Sequence, residues 1–136
     1  MTRTQSDLAD FIAARDSAFI GTASLDAQPY IQHRGGPPGF LRMLDNSTIA
    51  FADFAGNRQY VTVGNLAVNP RACMFLIDHA ARRRVKLRGR ARVSDDRALV
   101  AELMPTGYRA RPERAIVFEL DDWEVNCPAH IPRAPL

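Results

Sequence analysis

The run Arg83-Arg84-Val85-Lys86-Leu87-Arg88-Gly89-Arg90-Ala91-Arg92-Val93 constrains this chain more than any other segment. Its apolar residues recur at every second position, and a period of two belongs to a strand, whose successive side chains point to opposite faces. Val85, Leu87, Gly89, Ala91 and Val93 make one face fit to line a core. Arg84, Lys86, Arg88, Arg90 and Arg92 make the other, with five cations in a row. Like charges at that spacing repel, so solvent, neighbouring acids or a bound anion must compensate them. The net charge of the whole chain is only +3, although seventeen of its eighteen cations are Arg. No aromatic residue is interleaved on the cationic face to stack bases, which argues against nucleic acid.

The rest of the chain supplies partners for that strand. Its 136 residues fit a single domain, because two cores would each be small. A short helix is expected over residues 5–15, capped by Ser6, with Leu8, Phe11 and Ile12 on one face. Short strands follow at 18–23 and 29–33. Gly35-Gly36-Pro37-Pro38-Gly39 then breaks the chain direction. Residues 40–44 and 48–51 read as a hairpin around Asp45-Asn46-Ser47. A second helix is expected from Asn57 to Leu66, and residues 72–77 read as a strand apolar on both faces, hence fully buried, with Cys73 as a packing residue. Ser94 would start a third helix carrying Leu99, Val100, Leu103 and Met104 inward. Ala115 to Leu120 is the last strand, extending towards Trp123 and Val125, and the tail from Pro128 is irregular. Six or seven short strands with few short helices define a mainly β, β-rich α+β domain, a closed or half-closed barrel.

Two segments offer chemistry besides the basic strand. In Asp53-Phe54-Ala55-Gly56-Asn57-Arg58-Gln59, a helix starting near Asn57 would present free N–H groups to an anion, and Arg58 would add a fork of donors. His33 and Arg34 end a strand just before the glycine break, where a ligand can be reached. Cys127 and His130 lack a second pair at metal spacing, so no metal is expected. No dinucleotide fingerprint or phosphate-binding loop spacing occurs. No apolar run approaches the ~18 residues of a membrane span, and the polar start is not a signal peptide. With two cysteines only, a cytoplasmic protein with reduced thiols is the expectation.

Several of these segments occur in a familiar order. Ala18-Phe19-Ile20-Gly21-Thr22-Ala23, Pro29-Tyr30-Ile31-Gln32-His33-Arg34-Gly35-Gly36-Pro37, Gly56-Asn57-Arg58, Gly64-Asn65-Leu66 with Asn69-Pro70, and the Arg-rich strand through Gly89-Arg90-Ala91 come in sequence. Together they resemble the pyridoxamine 5'-phosphate oxidase-like, FMN-binding split-barrel family over roughly residues 8–127. The resemblance implies a Greek-key split β-barrel and a homodimer with FMN at its interface. It also assigns residues. Arg58 matches the phosphate-binding Arg, with Asn57 before it and Gln59 where many members have Lys. Arg42 matches a basic position on the preceding strand, and Asp53 replaces a hydroxyl residue near the phosphate. Arg84 falls at a flavin-contacting Gln, and Lys86 on the same stripe joins the cofactor set. His33 and Arg34 fit a subgroup in which they are expected near the flavin ring or substrate, which makes them the catalytic candidates.

The family's true oxidases have a longer C-terminal segment that supplies substrate-binding Arg and Trp residues, so vitamin B6 oxidation does not carry over. An FMN-dependent oxidoreductase acting on a small molecule is the leading expectation. The alternatives are an FMN carrier or sensor without turnover and, in a different class, a basic β-barrel binding RNA. Haem-binding and deazaflavin-using members share the fold, which therefore does not fix the reaction.

Overall fold

The computed structural model describes residues 3–54 and 60–126. Its elements follow the chain as α1 (Arg3–Ala13), β1 (Ser17–Ala23), β2 (Pro29–Gly35), β3 (Arg42–Asp45), β4 (Thr48–Phe54), α2 (Tyr60–Val68), β5 (Arg71–Asp78), β6 (Arg83–Ser94), α3 (Arg97–Leu103) and β7 (Pro112–Asn126). The seven strands form one antiparallel sheet in the order β2-β1-β5-β6-β7-β4-β3. This is a mainly β, Greek-key split barrel, as the sequence led us to expect. The starts expected for helix 2 at Asn57 and Arg58, and the Cys127–His130 tail, lie outside the described residues.

β6 sits at the centre of the sheet. It pairs with β5 from Arg71↔Arg90 to Asp78↔Arg83, and with β7 from Arg84↔Asn126 to Ser94↔Ala115. Its inward residues Val85, Leu87 and Ala91 are buried, as their alternation requires. They pack with Ile20, Phe40, Ile49, Phe51, Met74, Leu76, Ile116 and Phe118 inside the barrel. α1 adds Leu8, Phe11 and Ile12 to this core, and α2 adds Leu66. α3 packs on the outside, where Val100 and Leu103 meet Ala50, Ala52, Phe54, Ala115 and Val117. β4 and residues 115–118 of β7 are therefore covered on both faces, which explains why their apolar runs do not alternate.

Between β2 and β3 the glycine-proline break resolves into a turn. The Phe40 N–H donates to the Pro37 carbonyl at 2.9 Å. Gly39 stands at φ +92°, the left-handed position that a type II turn requires after Pro38.

Four local expectations change. β5 alternates rather than being buried on both sides: Met74 and Leu76 face the core, while Cys73 on the other face is exposed. Cys73 is therefore not a core packing residue, because among the described residues no element covers the outer side of β5 at Cys73. α1 begins at Arg3, so Ser6 lies within the helix instead of capping it. Asp96, not Ser94, caps α3: its carboxylate accepts from the N–H groups of Ala98 at 3.0 Å and Leu99 at 3.4 Å. Ser94 closes β6 and accepts from the Asp96 N–H. The carboxylate wins as cap because it offers more acceptor sites and a full charge to the helix dipole. β7 runs from Pro112 to Asn126, longer than the expected core strand.

The register of β6 on β7 shifts between Arg88 and Gly89, because Asp121 is an extra residue on β7. At this bulge the backbones approach so closely that a Cβ on Gly89 would collide with the Glu119 carbonyl. Gly89→Ala is expected to destabilise the protein by about 3 kcal/mol, since backbone, not a flexible side chain, must move. Urea denaturation should show the loss as a lower midpoint.

Candidate functional site

Register places the outer ends of several strands side by side. On β2, β1, β5 and β6, His33 pairs with Phe19, Phe19 with Phe75, and Phe75 with Lys86. Cross-strand partners share a face, so these four side chains form one row across the outside of the sheet. Three strand spacings of about 4.8 Å make that row about 14 Å long. The His33 and Phe19 rings meet edge to face with centroids 5.3 Å apart, and Phe19 and Phe75 are 6.4 Å apart. Arg84 lies one row further, opposite Ile77. On the other side of the aromatic row, Ile31, Gly21, Cys73 and Tyr30 border an open, largely apolar cavity of about 560 Å³. The His33, Phe19 and Phe75 rings are inclined to one another, by 60° and 52°, so they form an aromatic ridge rather than a plane; flanked by cations and an apolar hollow, it suits an aromatic, negatively charged ligand.

The remaining cations of β6 are differently engaged. Arg88 is bound to Asp122 at 2.6 Å and lies 3.6 Å from Glu124. Arg90 lies 3.3 Å from Asp121 and 3.5 Å from Glu119. Asp122 holds the Arg88 guanidinium above its ordinary value, first by its hydrogen bond and then by its charge. Neighbouring acids thus compensate the middle of the stripe. The acids recur along Glu119, Asp121, Asp122 and Glu124, a run legible in the sequence once β7 is known to lie beside β6.

His33 and Arg34, neighbours in the sequence, point to opposite faces of β2. His33 is exposed on the outside, whereas Arg34 is 2% exposed inside the barrel. There it meets Asp53 of β4, with Arg34 Nη2 3.7 Å from Asp53 Oδ1. Arg114 of β7 reaches the other carboxylate oxygen at 3.6 Å. Burial pushes the Arg34 guanidinium down to about 10, against the pull of Asp53. None of its three nitrogens has a hydrogen-bond partner among the described residues. Asp53, expected near a phosphate, is therefore held between two guanidinium groups. Arg42 is exposed on β3, opposite Ala50, at the far end of the strand order from His33. The structure thus brings His33, Arg84 and Lys86 onto one face and joins Arg34 to Asp53. Arg42 makes no hydrogen bond or ion pair with either group, and Asn57, Arg58 and Gln59 lie outside the described residues. Phe19, Phe75 and Arg114 were not foreseen. The 18–23/29–33 hairpin register could have revealed Phe19 beside His33, but nothing local predicts Arg114 opposite Asp53.

The fold and site define a split-barrel protein with an outward aromatic and cationic surface. Over residues 4–127 the chain matches the family model for pyridoxamine 5'-phosphate oxidase. It belongs to that family. No curated protein matches it in sequence. Among solved structures, HupZ from Group A Streptococcus is similar at a TM-score of 0.67 and 17% identity, with 99% of each chain covered. The FAD binding protein from Mycobacterium smegmatis gives 0.60 at 17% identity, covering 93% of this chain and 94% of that one. An FMN-binding protein from Syntrophomonas wolfei gives 0.58 at 13% identity, covering 91% and 89%. At these identities the likeness shows the fold.

The Arg34–Asp53 pair yields a direct test. Removing one partner of a buried pair leaves the other charge uncompensated, at a cost of about 3–5 kcal/mol. Asp53→Leu should therefore destabilise strongly, because it strands the buried Arg34, and adding Arg34→Met should recover most of the loss. A double-mutant cycle in urea measures both.

Proposed function

We propose that this protein is an FMN-dependent oxidoreductase acting on a small-molecule substrate in the cytoplasm, and that two copies share each cofactor. The observation that carries the reading is the outer row of His33, Phe19, Phe75 and Lys86, with Arg84 beside it. Such a surface accepts a planar ring and places positive charge at one end of it. Family membership and neighbours described as FMN- and FAD-binding support a flavin as that ring.

The composition of the outer face supports a dimer. It exposes Ile31 and half-exposes Phe19 and Phe75, apolar surface of the kind that a partner covers. Among the described residues no helix is long and apolar enough to cross a membrane.

When bound, FMN would supply the electron transfer. The chain's residues bind, orient and tune. Phe19 and Phe75 would provide apolar aromatic contact, and His33 a hydrogen-bonding edge. Lys86 and Arg84 favour negative charge on the ring. Arg42, Asn57, Arg58 and Gln59 hold the phosphate. Arg34 and Arg114 offset the charge of Asp53, so this carboxylate, four residues before Asn57, does not repel the phosphate.

Titration of apoprotein with FMN and with riboflavin, which lacks the phosphate, tests this reading. Wild type should prefer FMN. Arg58→Ala should lose most of that preference, about ten- to a hundredfold, as expected for a charge-assisted contact. Arg88→Ala should change it little, because Asp122 and Glu124 already occupy Arg88. Equal binding of both flavins by wild type, or a monomer that retains FMN in sedimentation, would overturn the proposal. Bound FMN that no donor reduces and dioxygen does not reoxidise would mark a carrier instead.

A further inference from the structure

Ser17 lies diagonally across from His33 on the paired strand, opposite Gly35. Its Oγ and the His33 Nε2 share a hydrogen bond of 2.6 Å. Two other contacts hold the same ring. Phe19 packs against it edge to face, and Gly35 leaves room beneath it, since a Cβ there would stand 3.2 Å from His33 Cε1. A histidine on an exposed strand ordinarily samples several rotamers and both neutral tautomers. Here the ring is turned towards Ser17, over the glycine, with one nitrogen committed.

We propose that Ser17 is a positioning residue: it fixes the orientation of the His33 ring and so determines how an aromatic ligand is seated on the Phe19–Phe75 row. The second half of this statement rests on the flavin reading above. The physical reason is the direction of the imidazole. A ring committed to Ser17 through Nε2 meets a ligand with Nδ1 held in a fixed direction, whereas a freely turning ring must be ordered on binding and loses affinity. Neither Ser17 nor Gly35 carries charge, so they act on His33 without altering the electrostatics of the cationic row.

Two measurements separate the claims. The first uses the purified protein without added ligand and reads the His33 side-chain rotamer from three-bond couplings and from the ring shifts that Phe19 induces. Wild type should show a single rotamer, Ser17→Ala an averaged set, and Ser17→Thr the wild-type pattern, because its hydroxyl is retained and its branching suits a strand. Gly35→Ala should disturb the ring as Ser17→Ala does, through displacement rather than loss of a hydrogen-bond partner. Averaged rotamers in wild type, or identical spectra for wild type and Ser17→Ala, would overturn the positioning role. The second measurement titrates the same variants with FMN. Ser17→Ala should weaken binding about fivefold, as for one neutral hydrogen bond, and Ser17→Thr should restore it. If the ring shifts respond and FMN affinity does not, the ligand-seating claim fails while His33 positioning stands. If wild type binds no FMN, the flavin reading fails, and the ring spectra still decide the role of Ser17.

Discussion

A sheet whose edges are not joined by a backbone ladder must be held curled by its side chains. Here β2 stands at one end of the strand order and β4 next to the other. Arg34 and Asp53 meet across that gap, with Arg114 on the far side of the carboxylate. The pair is buried and longer than a hydrogen bond, so its worth lies in charge compensation inside the barrel rather than in tight contact. Around it, α2 ties the same region together: Thr62 donates to Gln32 on β2, and Asn65 to Thr22 on β1. The seam of the barrel is polar where the rest of its interior is apolar. That seam also decides which residues remain for a ligand, because it takes Arg34 out of reach of the outer face.

The outer face divides into two zones with different physics. Over β6 and β7, cations and acids interleave, and the pairs of Arg88 and Arg90 with β7 acids leave little unbalanced charge. Exposed pairs of this kind contribute little to stability; their effect is to silence the middle of a basic stripe. Over β2, β1 and β5, aromatic and aliphatic side chains are left half-exposed beside an open cavity. Lys86 and Arg84 stand at the boundary between the zones. A ligand with an apolar face and a negative charge meets its complement there.

Much of this was legible from residue patterns. Alternation on 83–93 identified the central strand and its core face, and apolar runs with their breakers located the other strands to within a few residues. The ordered motifs pointed to the family that the match over residues 4–127 establishes. The candidate site was less legible. His33, Arg84 and Lys86 were selected, yet their shared row depends on β1 and β5 lying between β2 and β6. β5 was read as buried because its composition is apolar on both faces, and composition does not say whether the chain itself supplies a cover.

What the sequence determined by itself is local: the period of each strand, the turn at Pro38-Gly39, and the separation of apolar from charged faces on β6. These follow from backbone stereochemistry and side-chain alternation, which act over a few residues. Tertiary structure alone decided that Arg34 and Asp53, nineteen residues apart, face each other inside the barrel, and that Ser17 reaches His33. It also decided that acids on β7 meet the cations of β6. Such contacts depend on which strands become neighbours and in what register. That choice is made by burial of the common core, not by the residues that come to touch across it.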